Sequence, residues 1–277
     1  MRNFTRHFIF VITLAILFAG GCSEKSPEKS ADISVSSSYL DSAVRDIAGS
    51  NLDVFSVVPP GMCPGHFDIS PSQVSKVCNS KVLLIFGFQE RMKDSLANIA
   101  NEKIRIETIR PNGGLCVPDT YITVCGQVCD VLCECFPEKS EQFRKRFGLL
   151  KTRVDDLKKR VKNKIEKSGL KGEKAVCSVH QEKFARWLGL KVVGTFEGRD
   201  TETAGSLNES IKAGIKQKAG FVIANKQEGT RLAEVIAERL GAKTVVFSNF
   251  PKIGGGDDFY FAELVEQNIS RLTEAKE

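Results

Sequence analysis

A chain of 277 residues, 42% of them hydrophobic, is long and apolar enough for two compact domains of ordinary size. Its formal charge of +6 falls to +4 once Arg2 and Arg6 are assigned to a leader, with 38 basic residues then facing 34 acidic ones. Much of that excess lies on one helix face, so it reads as solvated surface rather than as a nucleic-acid footprint.

The leader is the first element. Arg2 and Arg6 precede an apolar run from Phe8 to Phe18, followed by Ala19-Gly20-Gly21 and Cys22. A run of eleven residues, ten of them apolar, is too short for a permanent span, so residues 1–21 read as a removed targeting segment. Small residues before a cysteine resemble the bacterial lipoprotein signal. That resemblance implies a lipidated Cys22, with Ala19 standing where leucine is usual; an ordinary cleaved signal with a stray cysteine is the alternative. Residues 22–40, rich in Ser, Lys, Glu and Pro, then read as a flexible tether.

Beyond the tether, strand and helix signals alternate. Asp53–Val58, Lys81–Phe86 and Ile104–Ile109 are expected strands, and Pro71–Asn79 and Gln89–Ala100 expected helices, the first capped by Ser70 with Pro71 at its first position. The segment after Asp119 reads as helical. From Glu141 to Ser168 the apolar residues Phe143, Phe147, Leu150, Val154, Leu157, Val161 and Ile165 fall at spacings of three and four, one stripe of a helix about 40 Å long at ~1.5 Å per residue. Gly169 is its expected C-cap. Strands then return at Ala175–Val179, Lys191–Phe196, Phe221–Ala224 and Thr244–Phe247, with helices at Gln181–Leu188, Glu202–Lys218, Glu228–Leu240 and Phe259–Thr273. The expected fold is α/β: two small lobes with mostly parallel sheets, residues 41–140 and 171–277, joined by one long spine helix over 141–170.

Only two histidines remain after the leader, His66 and His180, and each follows an apolar strand, one in each lobe. Open α/β sheets bind ligands beyond the carboxyl ends of their strands, and neutral imidazole is the commonest transition-metal ligand. Two imidazoles brought to one cleft point to zinc or a similar divalent ion.

The motifs around them resemble the metal-binding lipoproteins that serve ABC importers of zinc and manganese. His66-Phe67-Asp68-Ile69-Ser70-Pro71-Ser72-Gln73-Val74 is similar to that family's first ligand motif, with Gln73 in place of an aspartate. Phe86-Gly87-Phe88-Gln89-Glu90 is similar to a motif after the next strand. Ser178-Val179-His180-Gln181-Glu182-Lys183-Phe184, with Leu188-Gly189-Leu190 beyond it, looks like a third, ahead of a helix. The resemblance implies a lipid-anchored monomer at the periplasmic side of a membrane or the cell surface. It would capture a divalent metal, zinc with manganese as the variant, and hand it to an ABC permease without catalysis. It implies His66 and His180 as ligands. It places Asp119 of Val117-Pro118-Asp119-Thr120-Tyr121 where the family has a second histidine, and Asn249 where it has a last carboxylate. A neutral amide is a weak metal donor, so the fourth position stays open.

Cysteines are a second candidate for that position. Cys63 and Cys177 each stand three residues before a histidine, although Cys177 falls within a strand and is expected to point into the sheet. The eight cysteines after Cys22 suggest disulfides in an exported chain, and the cluster Cys116, Cys125, Cys129, Cys133 and Cys135 could instead bind a soft metal. There is no Gly-x-Ser-x-Gly, no His-Glu-x-x-His and no phosphate-cradling loop to support an enzyme; Gly254-Gly255-Gly256 reads as a connection. Two other readings fit the same sequence: a binding protein of the same architecture for a chelated cofactor such as cobalamin or a siderophore, and an exported cysteine-rich redox or structural protein.

Overall fold

The computed structural model describes residues 31–59, 69–89, 92–93, 105–198, 201–254 and 259–277. Within them lie two four-stranded sheets, and every strand pair is parallel. The first sheet contains β1 (Ile33–Val35), β2 (Val54–Ser56), β3 (Val82–Phe86) and β4 (Arg105–Ile109) in the order β2-β1-β3-β4. The second contains β5 (Lys174–Ser178), β6 (Lys191–Phe196), β7 (Phe221–Asn225) and β8 (Lys243–Phe247) in the order β6-β5-β7-β8. Strands covered on both faces read as continuous apolar runs, and β3 (VLLIF) and β7 (FVIAN) are buried at every position.

Helices α1 (Ser38–Ala48), α2 (Pro71–Cys78) and α3 (Pro118–Cys135) accompany the first sheet, and α5 (Val179–Trp187), α6 (Ala204–Gln217) and α7 (Arg231–Leu240) the second. Between the two sets runs α4 (Ser140–Lys167), the spine, and α8 (Tyr260–Lys276) closes the chain. The capping box expected at Ser70 is present: its hydroxyl accepts from the Gln73 backbone while the Gln73 side chain accepts from the Ser70 backbone. Gly169, just past the spine, takes the left-handed backbone (φ 63°) that a helix end favours.

The structure differs from the sequence expectation at residues 33–40. These were expected to extend a tether, but Ile33–Val35 is an inner strand of the first sheet, and Ser37 caps α1 by accepting from the Leu40 N–H. The serine run that lowers local hydrophobicity is a helix cap, and it is buried. The expected helix Gln89–Ala100 falls largely outside the described residues, as do Cys22, Cys63, His66 and the stretch 255–258.

Phe143, Leu150, Val154, Leu157, Val161 and Ile165 of the spine stripe are buried, and Phe147 is half-buried. Their partners come from both sides: α4 packs on α1 and α3, and also on α8, which in turn reaches β8 and α1. One apolar cluster therefore runs from β1, β3 and α3 through the spine to β5, β7, β8 and α8. At its centre Tyr121 of α3 stacks on Phe261 of α8, ring centroids 3.9 Å apart, and meets Tyr39 of α1 edge-on at 5.4 Å. Polar contacts line the same seam, with Arg160 of the spine pairing with Glu266 at 2.9 Å and Lys164 donating to the Ser270 hydroxyl at 2.9 Å.

All seven described cysteines are free thiols, where the composition suggested disulfides. Cys116, Cys125, Cys129 and Cys177 are buried and pack as small apolar side chains.

Candidate functional site

The order of each sheet fixes where a ligand would lie. Strand order reverses between β1 and β3 in the first sheet and between β5 and β7 in the second, and a crevice opens at such a point beyond the strand carboxyl ends. The residues that leave β5 and β7 therefore lie at the switch point of the second sheet.

Ser178 ends β5 and caps α5: its hydroxyl accepts from the His180 N–H at 3.3 Å and donates to Glu228 Oε2 at 2.7 Å. Glu228 ends the short 3-10 turn Lys226–Glu228 that follows β7. Its other oxygen, Oε1, lies 3.2 Å from His180 Nε2. The imidazole is 58% exposed and the carboxylate 21%, so the pair stands at the surface beyond the strand ends rather than in the core.

Each group charges the other. The hydrogen bond to Glu228 raises the His180 pKa against the opposing effect of burial, and Glu197 adds to the rise. Burial pushes the Glu228 carboxyl up, but the hydrogen bonds from His180 and Ser178 outweigh it and the net shift is downward. The histidine contribution is thus full below its ordinary value of 6.5 and is lost as pH rises through its raised folded value. The glutamate contribution is present above its ordinary value of 4.5 and is lost as pH falls through its lowered folded value. In metal-free protein the stability gap between wild type and Glu228→Gln should be widest between these two values and shrink above neutrality. With so exposed a histidine, the gap stays below about 1 kcal/mol. Urea melts across the pH range measure it, and a gap independent of pH would show that the pair does not form.

Behind this pair lies a buried polar seam. Gln181 Nε2 donates to Asn225 Oδ1 at 3.2 Å and to Asn249 Oδ1 at 3.1 Å, and its own Oε1 has no hydrogen-bond partner among the described residues. Asn249 Oδ1 also accepts from the Cys116 thiol at 3.5 Å, and Cys116 Sγ donates to the Ser248 carbonyl at 3.0 Å. Asn268 of α8 closes the seam, donating to the Ser248 carbonyl at 2.9 Å and accepting from the Ser248 N–H at 2.9 Å. The chain before α3 is drawn close to α5 here: a Cβ on Gly114 would sit 2.9 Å from Lys183 Cβ, which only glycine avoids.

The first sheet offers a counterpart at its own switch point. Ser36, just past β1, donates to Gln89 Oε1 at 2.6 Å, and the same oxygen accepts from the Phe86 N–H at 2.9 Å. Phe88 stacks on Phe86, centroids 5.1 Å apart, and is 55% exposed beside it.

Of the expected ligands, His180 lies just beyond the carboxyl end of β5, at the switch point of the second sheet. Asp119 lies in the first turn of α3, where its exposed carboxylate accepts from Lys158 of the spine at 2.8 Å, while the ion-pair partner of His180 is Glu228. Asn249 is buried, and its amide oxygen accepts from Gln181 at 3.1 Å with the Cys116 sulfur 3.5 Å away. Cys177 is fully buried in β5, as its strand position implied. His66 and Cys63 lie outside the described residues. Among the described residues no three His, Cys, Asp or Glu side chains are grouped to hold a metal ion. Glu228 is the polar residue that sequence reasoning missed, having been read as the first residue of an amphipathic helix.

Two parallel α/β lobes bridged by one long helix, with polar residues gathered beyond the strand ends, define a two-lobed solute-binding protein. The profile of the periplasmic zinc-uptake complex component A family, ZnuA, matches residues 33–275, and the chain belongs to that family of metal-binding proteins of ABC importers. Among solved structures, a crystal structure of ZnuA is similar with a TM-score of 0.73 at 17% identity, covering 90% of this chain and 100% of that one. A cadmium-bound periplasmic metal-binding protein from Candidatus Liberibacter asiaticus gives 0.75 at 14% identity, covering 88% and 99%. The laminin-binding adhesin Lmb from Streptococcus agalactiae, in a mutant structure, gives 0.72 at 14% identity, covering 90% and 100%. At these identities the likeness is one of fold. No curated protein matches the sequence.

Proposed function

We propose that this chain is an exported, lipid-anchored binding protein that captures a divalent transition metal, zinc with manganese as the variant, and delivers it to an ABC permease. The single observation that supports it most is His180: an imidazole held at the switch point of the second sheet, exposed on one side and fixed by a carboxylate on the other, in a chain of a metal-uptake family. His66 is the proposed partner from the first lobe, and residues 1–21, Cys22 and the short segment after it are the proposed signal, lipid anchor and tether. Asp119 joins such a site only by leaving Lys158, so the proposal rests on the two histidines. Binding is coordination: a neutral imidazole gives its lone pair to the ion, and release reverses that step.

The test is metal content. Purified protein is expected to hold one equivalent of zinc by elemental analysis and to lose it in the double variant His66→Ala, His180→Ala, whereas Asp119→Asn keeps it. A double variant that retains stoichiometric zinc would move the site away from the strand ends.

A further inference from the structure

Resting on that reading, the geometry points to Glu228 as a direct ligand of the captured metal, coordinating through Oε1 beside His180 Nε2 and supplying from the turn after β7 a carboxylate oxygen where Asn249 offers only an amide. Three observations lead there.

The first is topological. His180 leaves β5 and Glu228 leaves β7, adjacent strands on either side of the point where the sheet order reverses, so both side chains are delivered to one crevice. The second is distance. Two donors on one tetrahedral zinc, each at about 2.0–2.1 Å, stand about 3.3 Å apart. A charge-assisted hydrogen bond between an imidazolium and a carboxylate closes to about 2.7–2.9 Å. The observed 3.2 Å is the separation two such ligands need, and it also lies within hydrogen-bond range, so the metal-free pair already holds the two donors at ligand spacing.

The third is that the carboxylate is already aimed. Its Oε2 is held by the Ser178 hydroxyl at 2.7 Å, which turns Oε1 toward the ring. The backbone at Gly198 comes so close that a Cβ there would lie 3.1 Å from Oε1, which walls the carboxylate on a further side. A carboxylate with one oxygen engaged by a neighbour and one presented to an ion is how first-shell oxygen donors are oriented. On binding, the proton shared between His180 and Glu228 leaves to solvent, and the ion takes its place between the same two atoms.

X-ray absorption of the zinc-loaded protein, together with zinc affinity by competition against a chelating dye, tests the assignment on wild type, Glu228→Gln and Glu228→Ala. Glu228→Gln keeps the shape of the side chain, so above neutrality, where the His180–Glu228 pair contributes least, its metal-free melting temperature should lie close to that of wild type. The expected result is a first shell containing oxygen in wild type, one fewer oxygen in both variants, and affinity at least tenfold weaker. A merely orienting carboxylate also weakens binding, by about 10–100-fold, but leaves the donor set unchanged, so an unaltered absorption spectrum in the variants overturns the proposal. A wild-type shell of nitrogen and sulfur alone overturns it without recourse to a variant. Wild-type protein that takes up no zinc or manganese defeats the proposed function itself, an outcome distinct from either.

Discussion

Tyr121→Ala is expected to lower the free energy of unfolding by about 4 kcal/mol, since truncating a fully buried aromatic costs roughly 3–5 kcal/mol. The ring is a main contact between the last helix and the first lobe: it stacks on Phe261 of α8 at 3.9 Å with the planes 2° apart and abuts Tyr39 of α1. Its hydroxyl donates to the buried Asp46 carboxylate at 2.5 Å and is shared with the Ser42 hydroxyl at 2.9 Å. Burial and the neighbouring Asp46 hold the phenol well above its ordinary pKa, so it stays a donor at any physiological pH. Tyr121→Phe separates the two contributions. It keeps the stack and removes the donor, and should cost about 1–3 kcal/mol. Urea unfolding of the three proteins measures both. A Tyr121→Phe loss equal to that of Tyr121→Ala would assign the whole effect to the hydroxyl and none to the stack.

The second large effect concerns the spine. Leu157 is fully buried midway along α4, inside the apolar cluster that both sheets share. Leu157→Ala should cost about 3 kcal/mol, within the roughly 2–5 kcal/mol of a buried leucine truncation. The form of the transition is as telling as its size. Because the cluster is continuous, the two sheets should unfold together, in the variant as in the wild type. Trp187, the single tryptophan, sits in α5 beside Phe184 and reports on the second lobe, while far-ultraviolet circular dichroism reports on the whole chain. The two signals are expected to trace one curve, shifted to lower denaturant by Leu157→Ala. Curves that separate would show that the lobes have independent cores.

The parts of this structure legible in the sequence are those whose signal is local and periodic. The spine stripe, the buried runs of β3 and β7 and the Ser70 cap are each set by residues within one or two turns of each other. Residues 33–40 were misread because three consecutive serines look like linker, and only the surrounding sheet reveals that they close a strand and cap a helix. The candidate site divides the same way. His180 was found because a histidine directly after an apolar strand is visible in one dimension. Glu228 was not, since its importance comes from β7 lying next to β5, 50 residues away in sequence. Resemblance directed attention to Asp119 and Asn249 instead. The nearest cation, Lys158, holds the first, and the hydrogen bonds from Gln181 and Cys116 hold the second.

The free thiols carry a consequence of their own. Burial pushes the Cys116, Cys125 and Cys177 thiols well above their usual range, and burial together with the nearby Cys133 raises Cys129 to about 12. The thiolate is the reactive form, so these sulfurs are chemically silent while the chain is folded, even in an oxidising compartment. Their reactivity is gated by opening of the structure: each modification event records that the core was breached, and the accumulated label becomes a clock for how often this protein comes apart.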